Sequence, residues 1–117
     1  MLKFYCFPTW TTCRKAKAWL SEHSVEFEYH DILKQPLQQE ELIELASRGG
    51  TSINGLLNPA SKGFKDLKLD LNSITDSEAA ELINKNPKIM RRPLLTDQKK
   101  LVAGFNEDEY RVMVGTG

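Results

Sequence analysis

Residues Phe4 to Leu20 read FYCFPTWTTCRKAKAWL, and this stretch decides the fold. Its beginning, within residues 2–7, is short, apolar and aromatic, the pattern of a buried strand. Pro8 and Thr9 end that strand. Thr11 or Thr12 then offers a side-chain oxygen to a free backbone N–H and caps a helix. Ala16, Trp19, Leu20 and His23 recur at helical spacing, while Arg14, Lys15, Lys17 and Glu22 fall on the wet side. The turn therefore delivers Cys13 into the first turn of a helix. Three residues earlier, where a Cys-x-x-Cys dithiol would carry its attacking sulfur, stands Trp10.

Working outward, VEFEYHDIL at residues 25–33 alternates. Val25, Phe27 and Tyr29 share one side, and Glu26, Glu28 and His30 the other, as in a half-buried strand. Strand, helix, strand is a βαβ unit with parallel strands and a right-handed crossover. Residues 34–90 change to helical patterns. Leu42, Ile43, Leu45 and Ala46 share a face that stops at Gly49 and Gly50, a fitting helix end. Ile53, Leu56 and Leu57 suggest a short helix, and Phe64 and Leu67 another. Thr75 and Glu78 match a capping box ahead of Ala79, Leu82 and Ile83, and Pro87 follows the stop. Beyond residue 91 two apolar runs flank a polar turn at residues 97–100, the signature of a β-hairpin. Asn106, with Glu109 three residues on, caps a last helix. The order β-α-β, helices, β-β-α predicts an α/β fold: a thioredoxin-like core with a four-stranded mixed sheet. That core comprises residues 1–33 and 91–117, and a helical insertion comprises residues 34–90. Linkers at residues 33–36 and 85–90 mark where the insertion leaves and rejoins the sheet.

The chain has 117 residues, with 16 Lys plus Arg against 16 Asp plus Glu. One domain with a real core is expected. A balanced charge argues against a protein held on DNA by bulk positive potential, so contact with DNA is expected only indirectly. The modest basic region near residues 88–100 reads first as a solvated face. Two cysteines and no apolar leader or long apolar run point to a reduced, cytoplasmic monomer without membrane contact. No cofactor is expected, and no Cys/His spacing suggests a metal. His23 and His30 have no metal-ligand company and are expected at the surface.

Two readings of Cys13 stand. The helix N-terminus, with Arg14 and Lys15 nearby, stabilises a thiolate and makes a nucleophile. Alternatively Cys13 is a small, buried, inert residue. Cys6 is expected as a core residue of the sheet rather than as a disulfide partner of Cys13, although strand-to-helix turns can bring such positions within the necessary ~7 Å. Trp10 is either a partner anchor or folded back over Pro8 and the helix start. In MRRPLL, residues 90–95, Arg91 and Arg92 precede Pro93. In a thioredoxin-type core the proline opening this strand faces the redox turn, commonly across a cis bond. Arg92 beside Cys13 would offer a fork of donors to an oxyanion; the plainer reading is a solvated basic pair.

With these residues laid out, the chain resembles the family that holds ArsC-type arsenate reductases and the transcription regulators Spx and MgsR. CRKAKAWLSEH, SKGFKDL and INKNPKIMRRPLLTDQKKLVAGFNEDEY carry the likeness over nearly the whole chain. The resemblance implies the thioredoxin-like ArsC fold, with Arg92 and Pro93 as the family's Arg–Pro pair. An ArsC-type reductase attacks arsenate with a cysteine at the place held here by Trp10, and steadies the oxyanion with three arginines. Only Arg92 matches; Asn58 and Gly104 stand at the other two places. Arsenate reduction by this route is therefore not expected. The Spx branch binds the C-terminal domain of the RNA polymerase α subunit and redirects transcription under thiol stress, normally with a Cys-x-x-Cys switch. Trp10 removes that switch and leaves Cys13 and Arg92. A glycine after the second helix matters for polymerase contact in Spx, and Gly49 or Gly50 is the nearest match. The resemblance thus implies a Spx-like regulator that contacts polymerase through Gly49 or Gly50, and Trp10 adds a candidate partner anchor on the strength of its residue type. The alternatives are a glutathione- or glutaredoxin-linked thiol oxidoreductase using Cys13, and a paralogue that binds a different partner through Trp10.

Overall fold

In a computed structural model of the chain, which describes residues 2–6 and 10–115, the elements follow the expected order. Strand β1 (Leu2–Cys6) leads to helix α1 (Thr11–Glu22) and strand β2 (Phe27–Asp31). Helices α2 (Gln39–Arg48), α3 (Lys62–Leu67) and α4 (Asp76–Lys85) follow, with short 3-10 turns at Ile53–Leu56, Leu71–Ser73 and Pro87–Ile89. Strands β3 (Leu94–Thr96) and β4 (Leu101–Ala103) and helix α5 (Glu107–Val114) complete the chain. The sheet has the order β2-β1-β3-β4. β1 runs parallel to β2 and antiparallel to β3, and β3 runs antiparallel to β4. The expectation that Pro8 and Thr9 end the first strand falls outside the described residues.

The chain divides into two compact units, one of Met1–Gln35 with Arg92–Gly117 and one of Pro36–Arg91. In the first, alternation along β1 sends Phe4 and Cys6 to one face. There they join Cys13, Ala16, Trp19 and Leu20 of α1, Leu95, Val102 and Tyr110 in one core. Phe4 meets Phe27 edge-on at 5.6 Å and Tyr29 at 5.9 Å. The other face of β1 is not wet either. Tyr5 is buried, and His30 stacks on its ring at 4.8 Å. His30 is therefore half-buried rather than at the surface, because an aromatic neighbour on β1 covers it. His23 is exposed as expected; its ring stacks on Trp19 at 3.9 Å, and its Nδ1 donates to the Trp19 carbonyl at 2.8 Å.

Neither Thr11 nor Thr12 caps α1. Trp10 holds the cap position, makes no side-chain capping bond, and its carbonyl accepts the Arg14 N–H at 3.1 Å. The helix begins one residue before a threonine could serve, so both threonines lie inside it. The hairpin turn is built by Asp97, whose Oδ1 accepts the N–H groups of Lys99 at 2.7 Å and Lys100 at 2.6 Å. Burial is the largest single influence on this carboxyl and raises it. The two backbone donors and the charge of Lys100 outweigh that influence and leave it below its ordinary value. At α5 the cap is Asn106, which accepts the Glu109 N–H at 3.1 Å.

Tyr110, fully buried on α5, packs edge-on against Trp19 and Phe105. Its hydroxyl has no hydrogen-bond partner among the described residues, and burial pushes it well above the ordinary phenol value. Tyr110→Phe keeps the ring and removes an unsatisfied polar atom. Unfolding in urea at pH 8 is expected to show a gain of about 1 kcal/mol. The raised value sets the sign at alkaline pH. The unfolded chain releases this proton near pH 10 and the folded chain holds it, so stability falls as pH rises beyond 10. The phenylalanine variant should lose that part of the fall. A variant weaker than the parent by a full kcal/mol at pH 8 would mean that the hydroxyl is bonded.

The second unit is helical. The capping box of α4 forms as expected, with Thr75 Oγ1 accepting the Glu78 N–H at 3.2 Å and Glu78 accepting the Thr75 N–H at 3.3 Å. Its buried side chains are Ala79, Ala80 and Ile83, with Leu82 only half-buried. On α2 the apolar stripe is Leu42, Leu45 and Ala46, while Ile43 is 43% exposed. Positions 42, 45 and 46 follow the i, i+3, i+4 rule; Ile43 lies about 100° further round. Ile53, Leu56, Leu57, Phe64, Ile89 and Met90 are buried, and Leu57 bridges to Met90.

Candidate functional site

The Arg92–Pro93 peptide bond is cis and leads directly into β3. The Pro93 carbonyl accepts the Gly104 N–H at 2.8 Å, which ties the entry of β3 to the exit of β4. Gly104 has φ +91°, a conformation that side chains rarely adopt. The two members of the MRRPLL pair part company: Arg91 is exposed and Arg92 is half-buried. The Arg92 guanidinium carbon sits 4.0 Å from the centroid of the Trp10 ring, close cation–π geometry. Burial lowers the guanidinium somewhat from its ordinary value, yet an arginine this basic stays charged. Trp10 itself is 40% exposed. The start of α1 therefore presents a half-open indole backed by a cation. The alternative in which Trp10 folds over Pro8 falls outside the described residues.

Cys13 lies in the first turn of α1 and is 2% exposed; Cys6 is fully buried at the end of β1. The structure joins their sulfurs as a disulfide, with Cα atoms 6.2 Å apart. Cys6 is thus both a core residue and the partner of Cys13, which corrects the expectation of a core residue alone. The signal was present in two periodicities. Strand alternation puts Cys6 on the face of Phe4, and helical spacing puts Cys13 on the face of Ala16 and Leu20. Beside Cys13 a cavity of about 90 Å³ is lined by Arg14, Lys17 and Tyr29. Lys17 Nζ stands 4.9 Å from the centre of the Tyr29 ring. Desolvation, with a smaller effect of Asp31, raises the Tyr29 phenol above its ordinary value.

The site residues thus form two pairs, Trp10 with Arg92 and Cys6 with Cys13. Gly49 and Gly50 lie in the other unit. Gly49 ends α2 with its N–H shared between the Leu45 and Ala46 carbonyls, and Gly50 has φ +72°. A Cβ on Gly50 would meet nothing within 4 Å. A shallow hollow of about 360 Å³ runs past it, bounded by Ile43, Ser47, Thr51 and Ile53 among others. Asn58 accepts the Ala60 N–H at 3.1 Å on Oδ1 and does local turn work. No helix among the described residues is long and apolar enough to cross a membrane.

A parallel β1–β2 pair, an antiparallel hairpin and a cis proline at the head of β3 define a thioredoxin-like domain of the arsenate-reductase type. The ArsC family model matches residues 5–113, and the chain belongs to the ArsC family. Among curated relatives, the global transcriptional regulator Spx of Streptococcus agalactiae serotype V is 40% identical over 114 residues, covering 97% of this chain and 83% of the relative. An ArsC family related protein from Bacteroides fragilis superposes with a TM-score of 0.83 at 29% identity over 96% of each chain. A possible arsenate reductase from Streptococcus mutans superposes with a TM-score of 0.75 at 31% identity, covering 94% of this chain and 98% of that one.

Proposed function

We propose that this chain is a Spx-like transcription regulator that acts by contact, binding the C-terminal domain of the RNA polymerase α subunit. The carrying observation is the state of the redox turn: an indole fills the nucleophile's place, and the nearby cation lies against that indole. Covalent catalysis needs a reachable thiolate, whereas a half-exposed tryptophan beside an arginine has the composition of an interface anchor. Similarity to Spx over nearly the whole chain supports the regulator branch. The second contact is the surface around Gly50, with exposed Ile43 next to an open hollow. The reading of the chain as a single-thiol reductase is weakened by the engagement of Cys13 with Cys6.

Titration of isotope-labelled protein with isolated α C-terminal domain is the test. Amide shifts are expected at tens of micromolar, corresponding to about −6 to −7 kcal/mol. Gly50→Asn should weaken binding about tenfold without unfolding the chain, because asparagine tolerates a left-handed backbone and its side chain would project into the contact. Absence of shifts in the parent at those concentrations would remove the proposal. Shifts confined to the Trp10 surface and untouched by Gly50→Asn would relocate the contact.

A further inference from the structure

Cys6 and Cys13 lie seven positions apart in the sequence, a spacing unlike Cys-x-x-Cys. The pair does not depend on what the protein binds. Three observations converge on it. The two sulfurs are joined, from Cα positions within the ordinary disulfide range. The first turn of α1 carries no acidic residue, so Cys13 sits at the positive end of the helix, and Arg14 and Lys17 line the cavity beside it. Finally, Cys13 lines a cavity large enough for a small oxidant, while Cys6 is fully buried.

We propose that Cys6 and Cys13 form a reversible redox switch, closed by small hydroperoxides that reach Cys13 through this cavity and opened by dithiols. The Cys13 thiolate attacks the outer oxygen of the hydroperoxide. The O–O bond breaks, the departing oxygen takes a proton and leaves as alcohol or water, and Cys13 becomes a sulfenic acid. Cys6 then gives up its proton and attacks the Cys13 sulfur; the S–S bond forms and water leaves. The balance is two thiols and one hydroperoxide giving one disulfide, one alcohol and one water. In the reverse direction a dithiol attacks the bridge, passes through a mixed disulfide and closes on itself, returning two cysteine thiols. Opening pushes two sulfurs to non-bonded contact inside a close-packed core. The first turn of α1 then shifts against β1. Trp10, whose carbonyl holds the Arg14 N–H, moves with it. The switch thus sets the presentation of the exposed indole.

The test uses the full chain, reduced, desalted and treated with a few equivalents of hydrogen peroxide, then unfolded and alkylated with N-ethylmaleimide. Intact mass should show two adducts before peroxide and none after, with a digest peptide linking Cys6 to Cys13. Dithiothreitol added to the native protein should restore both adducts. Cys13→Ser should slow oxidation of Cys6 at least tenfold, and Cys6→Ser should leave a dimedone-reactive sulfenic acid on Cys13. If either variant folds poorly, the linked peptide of the parent decides. The Trp10 indole N–H resonance, assigned with Trp10→Phe, should differ between the two states. Two adducts surviving peroxide, a link between chains instead of within one, a bridge that native dithiol leaves closed, or one indole position in both states would each overturn the proposal.

Discussion

Arsenate mixed with this protein, glutathione and glutaredoxin is expected to yield arsenite no faster than the same mixture without the protein. Loss of a nucleophile in an enzyme built on one costs up to roughly a millionfold in rate, and Trp10 has no atom that can attack arsenic. The supporting charges are missing as well. Asn58 and Gly104 stand where the resemblance places two further cations, and Arg92 is turned onto the Trp10 ring at 4.0 Å. Each lost oxyanion donor is worth roughly a hundred- to a thousandfold. Trp10→Cys alone is therefore expected to restore a thiol without restoring turnover. Adding Gly104→Arg should strain the chain by about 1–3 kcal/mol, because residue 104 sits at φ +91°. Arsenite release by the parent at an ordinary enzymatic rate would contradict this reading.

Phe4→Ala is expected to cost about 3–5 kcal/mol, a large share of the about 5–15 kcal/mol that a domain of this kind possesses. Phe4 is fully buried at the centre of β1, pairs with Leu95 across β3 and Tyr29 across β2, and touches the Phe27 and Tyr29 rings. Both neighbouring strands are fixed by ladders, so the surroundings cannot collapse into the space. Urea unfolding followed by tryptophan fluorescence reads the loss, since Trp19 belongs to the same core. A cost under about 1 kcal/mol would mean that the core closes around the gap.

The fold was readable because strand alternation and helical periodicity are local. Phe4 with Cys6, Ala16 with Leu20, and the Asn106 cap each announced its element from a few neighbours. Chemistry at the turn was harder to read because it depends on how elements meet. The Cys6–Cys13 pairing needs both periodicities at once. The seat of Arg92 on Trp10 joins residues eighty-two positions apart, and no local rule reaches that far. His30 went astray for a related reason: alternation placed it on a polar face, but its neighbour across the ladder is Tyr5, whose ring covers it. The cap of α1 shows the limit of capping rules. Two threonines stood ready, and Trp10 takes the position instead.

That the chain works by contact is tested most directly by its retention on immobilised RNA polymerase with the α C-terminal domain present or removed. Retention on the intact enzyme and loss on the truncated one are expected. Equal retention on both, or none on either, would contradict it.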